Sequence, residues 1–221
     1  SQDILNRRLP PIWDVWFNES STAVATHPLG TDNLGRDYWA RLTEGARVSL
    51  IVGFAGALCA VLVGAVIGVT AGYYGGKVDL AANFVTQTRL SLPVILMAML
   101  AVATFGGSLP LIVILCAVFL WEHAAVVSRA VTRQMAGREF VTASKALGAS
   151  DLRIILTEIA PNVIKPLAVV LSIEMGNAIL LEAALSFLGL GVPPPTPSWG
   201  LMLSEAKDDI FFSPWTIAMP G

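Results

Sequence analysis

The chain has 221 residues, 55% hydrophobic and 14% charged, with a net charge of -2 and a mean hydropathy of +0.69. Soluble domains carry about a quarter charged residues, so this composition points into a membrane. Without a dense Lys/Arg cluster it also excludes nucleic acid as a partner. Cys59 and Cys116 each stand alone in an apolar run, as buried small hydrophobes do, rather than as a disulfide or metal site. Ser1 is not a start residue and no signal-peptide pattern surrounds it, so the sequence reads as a fragment of a longer one.

In chain order, residues 1–47 form an expected extracytoplasmic segment, followed by a membrane domain over 48–191. Val48 to Gly76 carries no charge, enough for a first crossing at about 20 apolar residues. Within it Gly56, Ala60, Gly64, Gly68 and Gly72 recur every four residues. This small-residue stripe suits close helix approach, either inside one subunit or between two. Lys77 to Arg89 reads as an inner loop. Leu90 to Trp121 is too long for one crossing and is broken at Phe105 to Pro110, which predicts a helical hairpin. Pro166 to Gly191 gives a fourth span, and 192–221 an outer loop with the start of a truncated helix. Lipid offers the backbone no hydrogen bonds, so the spans are helices or a closed barrel. Their length and lack of alternation exclude the barrel. The predicted fold class is therefore all-α, a polytopic membrane helical domain.

The expected cytoplasmic loop, 128–166, holds Arg129, Arg133, Arg138, Lys145, Arg153 and Lys165, against Lys207 alone after the last full span. Arg36, Arg41 and Arg47 on the opposite side run against this orientation, accompanied by Asp32, Asp37 and Glu44; the denser loop decides it. Inside the loop Ala136, Phe140, Ala143 and Leu147 share one helical face, and Leu152, Ile155, Leu156 and Ile159 another. Gly148 suits a helix end and Ser150 a cap for the next helix, while Pro161 and Pro166 limit its continuation. Two short amphipathic helices thus meet in an elbow flanked by Arg138, Lys145 and Arg153. It suits a docking partner, or alternatively a helix lying on the headgroups.

This stretch resembles the cytoplasmic E-A-A-x3-G-x9-I-x-L-P loop of ATP-binding-cassette importer permeases, with Ala143, Gly148 and Pro161 in register and Thr142, Ser144, Glu158 and Ala160 departing. "HPLGTDNLGRD" (His27 to Asp37), "GARVSL" (Gly45 to Leu50), "AGYYGG" (Ala71 to Gly76), "EAALSFLGLG" (Glu182 to Gly191) and "PPTPSWG" (Pro194 to Gly200) are similar to signatures of the dipeptide/oligopeptide/nickel permease subfamily. The resemblance implies a type I importer fold with six helices, the first and most of the last lying outside this sequence. It implies a multi-pass protein of the bacterial inner membrane, working with a second homologous permease, two ATP-binding cassette subunits and an extracytoplasmic substrate-binding protein. The elbow would be the coupling helix, with Arg138, Phe140, Ala143, Lys145, Leu147, Gly148, Arg153 and Pro161 at the ATPase contact. Peptides are the expected cargo. Nickel or another small solute is the alternative for the same machinery, and a self-contained secondary transporter or channel is the alternative of a different class.

No G-x4-G-K-[ST] loop, G-x-S-x-G, H-E-x-x-H or Cys/His cluster is present, so the chain is expected to be neither an enzyme nor a cofactor binder. Glu174 and Glu182 lie within a span, where ionisable groups are costly and mark function. With Asn177 and Ser186 they are candidates for the translocation path; Glu182 could equally hold helices together through hydrogen bonds to Ser186 or a neighbouring subunit. "HPLGTDNLGRD" and "PPTPSWG" read as a receiving surface for the binding protein or as a self-packed gate. Relatives usually show R-x2-D-x5-P in the inner loop. Here Phe84 and Gln87 precede Pro93, leaving Asp79 as the loop's acid. Glu122 and His123 read as a solvated helix end or a contact to the elbow.

Overall fold

The computed structural model describes residues 7–16, 21–193, 195–207, 210–211 and 213–221. Among them the only strand-like pairing is an isolated bridge between Thr31 and Asp37. A short turn at Ile12–Trp16 precedes ten helices: α1 (Tyr38–Tyr74), α2 (Gly76–Leu90), α3 (Val94–Phe105), α4 (Leu109–Phe119), α5 (Glu122–Ala136), α6 (Glu139–Ala146), α7 (Asp151–Ile154), α8 (Ala160–Phe187), α9 (Trp199–Ala206) and α10 (Trp215–Ala218). A π-turn at Ile155–Ile159 joins α7 to α8. Among the described residues, three stretches are long and apolar enough to cross a membrane: Tyr38–Tyr74, Leu109–Ala136 and Asp151–Phe187. The pair α2 and α3, bent by 82°, makes a fourth if it counts as one broken span.

Several expectations change. The first helix begins ten residues before the apolar run because Asp37 caps it, its carboxylate accepting the Trp39 N–H (3.3 Å). At about 55 Å for 37 residues it exceeds the roughly 30 Å hydrocarbon thickness. Lys77 to Arg89 is helix α2 rather than a loop: Gly75 and Gly76, both left-handed at φ 62° and 51°, end α1 and let the chain re-enter a helix at once. The hairpin breaks where expected, between Phe105 and Leu109. Its second arm carries on through a break at Leu120 and Trp121 to Ala136. Pro161 and Pro166 do not stop the last helix. The π-turn lies just ahead of Pro161, with the Ala160 N–H reaching back to the Ile155 carbonyl, and its wider register relieves the clash a proline ring makes with the preceding turn.

The chain forms two compact units. The first comprises the described parts of 1–51 and 182–221 with Gly106–Ser108; the second comprises Val52–Phe105 and Leu109–Leu181. In the second, the glycine stripe of α1 lies on α4 and α5. A Cβ at Gly64 would run into the Trp121 carbonyl, and one at Gly68 into Ser128 and the Ala125 carbonyl. The stripe is accordingly a crossing inside the subunit. Val61, Ala124, Val141, Ile154, Ile159, Val163, Leu167 and Val170 close its core. The burial of Val141, Ile154 and Ile159 ties the elbow to the helices above it.

In the first unit, Asp32 organises the loop ahead of α1. One carboxylate oxygen accepts the Leu34 and Arg36 N–H groups (both 2.9 Å), the other the Arg36 Nε (2.6 Å) and Arg41 Nη1 (2.7 Å). Arg41 continues to Glu205 (2.6 Å), and Tyr38 donates to the Thr216 carbonyl (2.5 Å). Burial pushes the Asp32 carboxyl up, but the two backbone N–H groups and the Arg36 guanidinium outweigh it and hold it below the usual carboxylate value. A cavity of about 200 Å³ sits over this cluster.

Candidate functional site: the elbow and the mid-span carboxylates

The elbow folds as its residues dictate. Helix α6 ends at Ala146. Gly148 takes φ 80° with open space on its Cβ side, so only backbone strain would oppose a side chain there. Ser150 then caps α7, its hydroxyl accepting the Arg153 N–H (3.4 Å). Two polar ties brace the bend. Tyr73 at the end of α1 donates to Asp151 (2.7 Å) while Lys145 lies 4.7 Å over its ring, and Ser144 bonds Glu158 across the two arms.

Burial separates the elbow's two faces. Val141, Ile154 and Ile159 point into the core, whereas Phe140, Leu147, Leu152 and Leu156 are exposed, Leu147 to 89%. Of the residues expected on the two helical faces, Ala136 and Ile155 are half-buried and Ile159 is buried, while the others are exposed. Arg138, Ala143, Lys145, Gly148, Arg153 and Pro161 are exposed around the apolar patch. Three leucines and a phenylalanine thus stand outside, within a cationic rim.

The carboxylates are fully buried and separately satisfied. Glu182 accepts from Ser186 (2.7 Å) and Ser49 (3.4 Å). Ser49 also accepts the Trp199 N–H (3.2 Å), and Ser186 lies 3.4 Å from Ser198, the cap of α9. Glu182 thus ties α1, α8 and the start of α9 in the first unit, the helix-holding alternative. The "HPLGTDNLGRD" and "PPTPSWG" motifs likewise pack through Asp32, Arg41 and Trp199, whose Nε1 donates to the Leu42 carbonyl (3.2 Å). Pro194 of "PPTPSWG" lies outside the described residues. Glu174 belongs to the second unit: Asn177 Nδ2 donates to its Oε2 (3.1 Å), and His123 Nδ1 is 2.7 Å from its Oε1.

Glu122 is therefore not a solvated helix end, and His123, though exposed, is engaged by Glu174 of α8. They sit where α4 breaks into α5. Glu122 is buried beside Arg89, which donates to the Leu92 and Phe119 carbonyls and lies over the Phe119 ring. Sequence reasoning passed over Arg89. Its signal was a lone charge at the edge of a long apolar run. Asp79 is engaged bidentately by Arg129, with Arg133 3.8 Å away, so α2 and α5 share an ion pair despite Phe84 and Gln87.

With this geometry in place, residues 64–219 match the family of binding-protein-dependent transport system inner membrane components. The chain belongs to that family. This inner membrane component is 40% identical over 197 residues to the dipeptide transport system permease protein DppC of Alkalihalophilus pseudofirmus, covering 89% of its own length and 65% of the relative's. It is 38% identical over 193 residues to the di/tripeptide transport system permease protein DppC of Pseudomonas aeruginosa, covering 87% and 64%. The chain thus spans just under two thirds of both curated relatives. A chain of the inward-facing MetNI methionine ABC transporter superposes with a TM-score of 0.67 over 82% of this chain and 86% of its own, at 14% identity. That likeness speaks for the shared fold alone.

Proposed function

We propose that the chain acts as the membrane-spanning permease subunit of an ATP-driven importer of short peptides. In this reading it pairs with a second homologous permease, two ATP-hydrolysing subunits dock beneath, and a binding protein delivers peptide from outside. The elbow lies on the cytoplasmic side, and 1–47 and 192–221 on the outer side. The relatives named as dipeptide and di/tripeptide permeases support the cargo class.

The observation that carries the reading is the two-faced elbow. Its inner residues Val141, Ile154 and Ile159 are locked into the helix core, while Phe140, Leu147, Leu152 and Leu156 stand free. A push on the outer face therefore reaches the spans as a rigid displacement, because packed interiors do not absorb it. ATP binding closes the ATPases, the elbow follows, and the helices change the side on which the passage opens. Each ligand drives this only as far as it binds the two states differently.

The test is Gly148→Val in the assembled complex. Forcing a β-branched residue to φ 80° remakes the bend without a clash, so membrane insertion should persist while ATP hydrolysis no longer drives uptake. Uptake and ATPase stimulation equal to the parent's would refute the coupling role.

A further inference from the structure

His123 stands midway along the Leu109–Ala136 span. Its imidazole Nδ1 is held by Glu174, which is completely buried, yet the His123 side chain itself is 57% exposed. The second Glu174 oxygen accepts from Asn177. Both oxygens are thereby engaged, and the ring is pinned by Nδ1. A carboxylate that holds one ring nitrogen orients the imidazole and leaves Nε2 as its other hydrogen-bonding atom. An ionisable group held in mid-span belongs against a water-filled cavity or the bundle interior, not against hydrocarbon. The α1 face around Leu58, Leu62 and Val66 is purely apolar and exposed, as a lipid face should be.

We propose that His123, backed by Glu174 and Asn177, forms a cargo-contact site on the wall of the translocation passage, with Nε2 offered to the hydrogen-bonding groups of a passing peptide. This rests on the permease reading and adds to it a specific polar contact.

The experiment uses the complete transporter in proteoliposomes, with the exposed Cys59 replaced by Ser. His123→Cys and Leu58→Cys are each treated with a small, permanently charged thiol reagent, which needs water at the sulfur. His123→Cys should react many times faster than Leu58→Cys and be protected by saturating dipeptide. In parallel, His123→Leu should lower dipeptide uptake about fivefold, the factor one hydrogen bond contributes, while His123→Gln, which keeps a hydrogen-bonding group, retains most of it. Labelling of His123→Cys no faster than of Leu58→Cys overturns the passage assignment. Equal uptake by the Leu and Gln variants overturns the hydrogen-bonding role. Absence of ATP-driven dipeptide uptake in the parent transporter is the separate outcome that defeats the permease reading itself.

Discussion

Arg89 and Glu122 lie 3.8 Å apart, both buried, at the level where α2 bends into α3 and α4 breaks into α5. The guanidinium covers the Phe119 carbonyl, which the break in α4 leaves without a helical partner. One charged pair therefore serves two helix interruptions, and it is not fully saturated: Arg89 Nε and Glu122 Oε2 have no hydrogen-bond partner.

Removing one member of such a pair strands the other. Arg89→Leu should destabilise the purified protein by about 3–5 kcal/mol, whereas Arg89→Leu combined with Glu122→Leu should cost less than the single change. Thermal unfolding in detergent measures both. A single variant as stable as the parent would show that the pair carries no structural weight.

The α1 glycine stripe predicts a contrast between two glycines. Gly68→Ala drives a Cβ into the Ala125 carbonyl, a backbone atom that cannot step aside, so a loss of about 1–3 kcal/mol is expected. At Gly176 nothing lies within 4 Å of a new Cβ, and alanine there should be neutral or add up to about 1 kcal/mol from helix propensity. Melting temperatures of the two variants check this, and a reversed order would contradict the crossing of α1 on α5.

Asp32 gives a pH dependence with a defined sign. Its folded carboxyl titrates below the ordinary carboxylate value, so the folded state binds fewer protons than the unfolded one in that range and stability rises with pH there. The contribution is complete above the ordinary carboxylate range and is lost as pH falls through the lower folded value. The unfolding-temperature gap between parent and Asp32→Asn should stay constant from neutral pH to the ordinary carboxylate range and close only below it. A gap that closes on the alkaline side would contradict the Asp32, Arg36 and Arg41 cluster.

What was legible in the sequence followed from periodic or cumulative signals. Apolar length announced α1 and α8, and the glycines and proline near Phe105 announced the turn of the hairpin. Gly148 and Ser150 announced the bend of the elbow and its cap. Less visible was whatever depends on a single distant partner. His123 and Glu174 are 51 positions apart, and Arg129 and Asp79 are 50; no repeat or moment marks either pair. Lys77 to Arg89 looked like a loop because its charges broke the apolar pattern, yet Asp79 and Arg89 each find a partner on or beside α5, which lets a polar helix pack. Pro161 misled for a local reason, since the π-turn that accommodates it has no signature in residue type.

The central claim is that the exposed face of the elbow is where a separate ATPase pushes. The most direct measurement is disulfide or short-linker cross-linking from Leu147→Cys, the most exposed leucine of the elbow, in intact complexes with and without nucleotide. The account predicts an efficient cross-link to the ATP-hydrolysing subunit whose yield changes when nucleotide binds. A Leu147→Cys thiol that forms no such cross-link, or that reacts with impermeant reagent added outside sealed cells, would contradict it.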